Sequence, residues 1–584
     1  MNVLLKTGLV LVVGFVNFVY AAAPMANISA KMSSRIIANS NVQTTDKFDD
    51  FLTQVLSIEF ITEQQALTLA IKKYRAKETL QGPELHQLQR LLGLYTRVKY
   101  GDDAINTLAQ LVAIPTFRVD GLEQHANPQF HKMADALANI AKDFNLTFRN
   151  IDNRIFEVSI SGSSNEVVGI HAHADVVPVK PSLWVLNDGT KLNPFQLTRI
   201  GNRMYGRGTE DDKNGIVVSM YAMKVIQEEN IPLLRNFHLL IDTTEETSSE
   251  AIPYYFDRNA TPNYNLALDG GYPVVIAEKG YAGIMATFPV RTAQDNITGS
   301  AKIVGITGGL ALNQIPGASV ANIMSPEPTT LVNKLNQLGA KFVAANGGNF
   351  SINAISKPQG VELTVKGVSA HSSEPESGVN PVSRILTFVD YVQQQELIFK
   401  QNHVTDAATY IANNWGLDHL GKTLGINFSD EFMGPLTSAV TLIKLNDTSL
   451  QVGVNLRIPV GRDVDLIKHD VLNKLAVWHK KSGVNVDFNI SISEPMYRNP
   501  KGHWVNALLD VATENLNMPR KFGSSAGGTS VHNLPNGVQF GLAMPDEKYS
   551  GHNANEFKRV DQFLLDLQII TEMIARIGQI PSLE

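Results

Sequence analysis

The residues with the most chemistry to offer lie in the stretch Gly169-Ile-His-Ala-His-Ala-Asp-Val-Val-Pro178. An apolar, β-type run over 167–170 leads into it, so His173 and Asp175 stand where a strand ends. Residues two apart in a strand face the same side. A neutral imidazole ligates a divalent ion, and a carboxylate two residues on can hold that ring or a neighbour. One His-x-Asp is a common accident, but this one has company. Gly206-Arg-Gly-Thr-Glu-Asp-Asp-Lys213, Thr243-Thr-Glu-Glu246, Leu268-Asp-Gly-Gly271 and His552 each fall near the end of a strand-like run or the start of a helix-like one. The chain has no cysteine, which excludes thiolate catalysis, disulfides and any cysteine-based metal site.

These residues need a scaffold, and the periodicity supplies one. Helical spacing over 103–114 ends at Pro115, and a second helix covers 129–144. Strands over 154–160 and 166–171, a helix over 216–228 and a strand over 237–241 follow. This alternation predicts an α/β domain: a mixed or mostly parallel sheet with helices on both faces, in three layers. Ligands in such sheets gather beyond the carboxyl ends of the strands, which is where the motifs lie. After Lys279-Gly280 the character changes. Strands at 284–290, 300–304, 361–366 and 450–457, with helices at 328–338 and 381–394, describe an inserted α+β domain over 281–491. The chain then returns to the first domain over 492–584, with helices at 504–515 and 560–577 and a strand at 537–542. The first domain therefore has two parts, 101–280 and 492–584.

The N-terminal hundred residues stand apart. Lys6, an apolar run over 8–20 and Ala21-Ala-Ala23 have the layout of a secretory signal peptide, 1–23. Residues 24–100 read as a mobile leader to about 45, then an accessory helical segment over 47–98. An export signal without cysteine suits a bacterial periplasmic or secreted enzyme, free of the membrane once the signal is removed. The net charge of −6 and the absence of a basic run argue against nucleic acid as a partner.

The five ordered motifs, spread from about Ile114 to Glu556, resemble the M20 peptidase family of co-catalytic zinc hydrolases, and most of all its large-lid bacterial dipeptidases. The resemblance implies a zinc-exopeptidase-like fold and two zinc ions, with cobalt or manganese as substitutes. It places His173 and Asp269 on one ion, Glu246 and His552 on the other and Asp211 between them, with Asp175 orienting His173. It makes Glu245 the general base. Neighbouring carboxylates in an extended turn point apart, so one can bind metal while the other faces the attacking water.

In the insert, Gly367-Val-Ser-Ala-His371 matches the lid histidine that steadies the oxyanion, and Asn313 matches the lid asparagine. Arg457 matches the arginine that clamps a substrate carboxylate, helped by the backbone N–H groups of Gly527 and Gly528. A cis peptide at Asp211-Asp212 is also implied. This sequence departs from the family at Gly270 and Gly271, which would leave the turn after Asp269 loose, and at His532, where an arginine is common. His171 shares a strand side with His173 and reads as structural. The implied activity is hydrolysis of small peptides with a free carboxylate by a dipeptidase- or carboxypeptidase-like enzyme, more readily a monomer than a homodimer. Two alternatives share the scaffold: an N-acyl-amino-acid amidohydrolase and a non-catalytic binding protein.

Overall fold

The computed structural model describes residues 28–291, 299–309, 311–358 and 360–584. The expected signal peptide lies outside them. Two sheets organise the chain. The first has nine strands, ordered Thr147–Ile151, Ile155–Ile160, Asn236–Asp242, Val167–His173, Tyr264–Ala267, Val538–Gln539, Val275–Glu278 and Met496–Tyr497, with Gly523–Ser525 beside Val275–Glu278. Its centre is parallel and its flanks antiparallel, so the sheet is mixed. Val167–His173 is buried along nearly its whole length, as a central parallel strand covered on both faces must be.

The register explains why the motifs converge. Asn236–Asp242 and Tyr264–Ala267 flank Val167–His173 in parallel, with His173 opposite Asp242 and His171 opposite Ala267. The motifs at 173–175, 243–246 and 268–271 therefore leave the sheet side by side, at the carboxyl ends of three neighbouring strands. Helices Gly82–Val112, Lys213–Glu228 and Val560–Gln579 pack against one another beside it, around a single apolar core.

The second sheet has eight strands, all antiparallel, and starts where the first domain's chain leaves off: Gly280–Pro289 pairs with Ser449–Ile458 on one side and Asp487–Ile492 on the other. Helices Pro328–Ala345, Pro381–Glu396, His403–Asn414 and Val464–Ser482 share its separate core. The mixed α/β sheet and the α+β character of the second domain are as expected. Strands Ala318–Met324, Ser351–Lys357 and Thr437–Leu445, and the last two helices, had not been expected.

The N-terminal region departs further from expectation. The leader is not loose where it is described: Ala30–Ile37 is a helix capped by the Ser29 hydroxyl, and Ile28 and Ile36 are buried. The two helical stretches expected on either side of residue 101 are one 31-residue helix, Gly82–Val112. Gly93 and Gly101 fall within it because the C-terminal helix passes too close for a side chain. A Cβ at Gly93 would lie 2.4 Å from the Gln568 carbonyl oxygen, and one at Gly101 2.7 Å from Leu564. Buried Arg90 pairs with Glu572 and Glu514 and donates to the Ile28 carbonyl, stapling the leader, this long helix and the C-terminal helix together. Among the described residues, no helix is long and apolar enough to cross a membrane.

Candidate metal centre and its lid

Asp175 shows how the sheet edge is wired. Its two carboxylate oxygens accept the Glu245 and Glu246 backbone N–H groups at 3.2 and 3.0 Å, fixing the loop that follows Asn236–Asp242. Its carbonyl lies 2.9 Å from His173 Nδ1, and its Oδ1 lies 3.5 Å from the same atom. The imidazole is thereby oriented with Nε2 facing inward, 2.8 Å from Asp211 Oδ1. On the far side of Asp211, Oδ2 meets His552 Nε2 at 3.0 Å, and that nitrogen is 2.8 Å from Glu246 Oε1.

Two groups of three possible ligands share His173: His173, Glu245 and Asp269, and His173, Asp211 and Glu246. The neighbouring glutamates diverge, Glu246 toward His552 and Glu245 toward Asp269. Glu245 also lines a cavity of about 310 Å³ together with Ser249, Ile252, Gly528 and Thr529. The peptide between Asp211 and Asp212 is cis.

This donor set fits divalent cations. Burial, then the Asp211 charge, pushes the Asp269 carboxyl up to about 7. Burial, then Asp269, holds Glu245 well above the usual carboxylate range, and burial raises Glu246 too. His173 and His552 go up despite burial, because Asp175, Asp211 and Glu246 favour imidazolium there. The cluster thus draws in positive charge by every route open to it, and hard cations with oxygen and imidazole ligands satisfy the same demand. His171 lies outside both groups. Its Nε2 is 3.0 Å from Asn265 Oδ1, and burial takes it down to about 4.

The turn after Asp269 is not loose. The Gly270 N–H donates to the Gly541 carbonyl at 2.8 Å, and Gly270–Gly271 pairs with Leu542–Ala543. A Cβ on Gly270 would lie 2.4 Å from Gln539 Oε1, so glycine is what the packing admits.

Sequence reasoning passed over the carboxylates that hold the loops. Glu556, fully buried, accepts the N–H groups of Gly208, Glu210 and Asp211 at 3.0, 2.9 and 3.2 Å and pairs with Arg207. It shapes the loop that presents Asp211. Glu278 does the same for the glycine loop, accepting from Thr529 N–H, Thr529 Oγ1 and Gln539 and pairing with His532. His532 thus serves the scaffold, and the Glu278 carboxylate raises its pKa against the pull of burial. The Gly527 N–H donates to Ser525 Oγ at 3.0 Å rather than standing open, while Gly528 lines the cavity with Glu245. Lys213, buried, donates to the Leu111 and Ile114 carbonyls at the end of the long helix. Only adjacency to motifs could have flagged Glu278 and Glu556, because their partners, backbone amides and side chains alike, lie far off in the sequence.

The second domain brings its own residues together. Ala370–His371 pairs with Gln314–Ile315, and the Ser372 N–H donates to the Asn313 carbonyl at 2.9 Å, so Asn313 and His371 are neighbours. The Ser373 N–H points at His371 Nδ1 from 3.3 Å, and the Ser373 hydroxyl lies 2.6 Å from it. An accepting Nδ1 puts the proton on Nε2. Burial, then Arg457 and His552, lowers His371 to about 4, so its ring is neutral at ordinary pH. Arg457 is buried, its Nε donates to Asn455 at 3.1 Å and its guanidinium lies 5.3 Å from the Tyr281 ring centre. No carboxylate pairs with Arg457 among the described residues.

Residues 169–576 match Peptidase family M20/M25/M40. The chain belongs to this family. It is an M20 metallopeptidase of dipeptidase type. It is 25% identical over 445 residues to "Putative dipeptidase YtjP" of Bacillus subtilis, covering 76% of this chain and 90% of that one. It is 26% identical over 483 residues to "Putative dipeptidase SAB1611c" of Staphylococcus aureus, covering 82% and 97%. The solved structure of the di-peptidase Dug1p from Saccharomyces cerevisiae is similar in fold, with a TM-score of 0.51 and 10% identity over 84% of this chain and 99% of that one. M20 peptidases use metal ions, and in this M20 chain the His, Asp and Glu groups at the sheet edge are the candidates to hold them.

Proposed function

We propose that this M20 enzyme is an exported dipeptidase or carboxypeptidase-like exopeptidase that holds two zinc ions and cleaves small peptides with a free carboxylate. The observation that carries the reading is the divergence of Glu245 and Glu246 across two ligand groups that share His173. His173 and Asp269 would hold one ion, Glu246 and His552 the other, with Asp211 between them. Bound there, the ions would supply Lewis acidity and lower the pKa of water.

The chain's own residues do the rest. Glu245 takes a proton from the attacking water and returns it to the leaving amine, a role that suits a buried carboxyl with a raised pKa. Asp175 keeps His173 in one orientation. The Nε2 proton of His371 is available to the developing oxyanion, and neighbouring Asn313 adds an amide beside it. Arg457, free of any protein carboxylate among the described residues, is suited to the terminal carboxylate of the substrate, with Gly528 on the cavity wall. Export rests on the N-terminal sequence, with processing after Ala23. A monomer is proposed because one chain carries a lid of eight strands.

Glu245→Gln tests the core of this reading. Metal content by mass spectrometry should stay at the wild-type value while kcat on a dipeptide panel falls about 10²–10⁴-fold. Wild-type turnover in that variant would remove Glu245 as the base.

A further inference from the structure

We propose that Tyr549 is a positioning residue for the metal centre: its phenol holds the second oxygen of Asp211 and thereby sets how tightly the ion beside His552 and Glu246 is bound. This inference rests on the metal-centre reading above and adds to it a residue that no motif marks. The Tyr549 hydroxyl donates to Asp211 Oδ2 at 2.6 Å, closer than the 3.0 Å between that oxygen and His552 Nε2. Asp211 therefore carries a partner on each oxygen, His173 on Oδ1 and Tyr549 on Oδ2. A carboxylate asked to serve two ions must have both oxygens fixed in direction, and an outer hydrogen bond does this without taking a ligand position.

The loop that carries Tyr549 is built for the purpose. Ser550 closes it, its hydroxyl donating to the Phe557 carbonyl at 2.9 Å and accepting the Phe557 N–H at 3.1 Å. His552 and Glu556 lie in the same segment, so one stretch of chain grips Asp211 three ways: phenol on Oδ2, imidazole on Oδ2 and Glu556 on the backbone N–H. Gly551 makes room for the ring, since a Cβ there would lie 2.4 Å from the Tyr549 Oη and ring carbon. Tyr549 is 42% exposed, so its packing contributes little to the core and its hydroxyl can be removed without unfolding the chain.

The experiment is zinc competition with a chromophoric chelator on the full chain, comparing wild type, Tyr549→Phe and Gly551→Ala, with thermal unfolding recorded for each. Tyr549→Phe should release one of the two ions at a chelator concentration about tenfold or more lower than wild type. Its turnover should fall at limiting zinc and recover as zinc is added. Gly551→Ala keeps the phenol but displaces the ring, and should reproduce the weaker zinc binding. Wild-type zinc affinity in both variants overturns the assignment, as does a loss of turnover that added zinc fails to restore. A wild-type protein that binds no zinc overturns the metal-centre reading itself, and that result is read from the wild-type arm alone.

Discussion

The two halves of the candidate site are held in opposite ways. At the carboxyl ends of the first sheet, the carboxylates that hold the loops are already bonded: Asp175 takes two amides, Glu556 three amides and an arginine, Glu278 an amide, a hydroxyl, an amide side chain and a histidine. In the inserted domain, His371 Nε2 and the Asn313 side chain have no hydrogen-bond partner among the described residues, and Arg457 has only Asn455 and the face of Tyr281 there. The difference teaches that one half is finished before substrate arrives and the other keeps its hydrogen-bonding capacity for the substrate. Rigid metal loops tolerate little reorganisation, whereas groups that meet a transition state gain from having nothing else to hold.

Three substitutions sharpen or break this contrast. Glu556→Ala should have the largest effect, because it leaves Arg207 buried without its carboxylate and frees the amides of Gly208, Glu210 and Asp211. A loss of about 3–5 kcal/mol in stability is expected, read by denaturant unfolding, together with loss of bound metal. His371→Ala should leave metal content and unfolding at wild-type values while lowering kcat about 10²–10³-fold. If it instead destabilised the fold as much as Glu556→Ala, the two halves would not differ in kind. Arg457→Lys is the mildest. It keeps the charge and loses the planar fork, so KM for a dipeptide should rise about tenfold with little change in kcat, and amidated peptides, which lack the carboxylate, should be handled equally by both proteins.

The strand that delivers His173 and the alternation around it were legible because parallel strands buried on both faces are apolar runs, and the motifs sit at their ends. The long helix was not legible, because Gly101 reads as an interruption until Leu564 is seen lying against it. Strand Ser351–Lys357 escaped because it is an edge strand with mostly exposed side chains and carries no apolar run. In the candidate site, the histidines and carboxylates announced themselves by type and spacing. Glu278, Glu556 and Tyr549 did not, since what gives each its place is a partner hundreds of residues away. The tautomer of His371 was equally invisible, because it depends on the direction of one backbone N–H at Ser373.

The staple between the N-terminal helices and the C-terminal helix has a consequence for how the molecule comes into being. Arg90 finds its carboxylates at Glu514 and Glu572, and Gln89 finds its acceptors at Ala575 and Gln579. On a ribosome, a buried guanidinium near residue 90 therefore waits for almost the entire chain before it has a counter-charge. This early part of the chain is among the last to be locked.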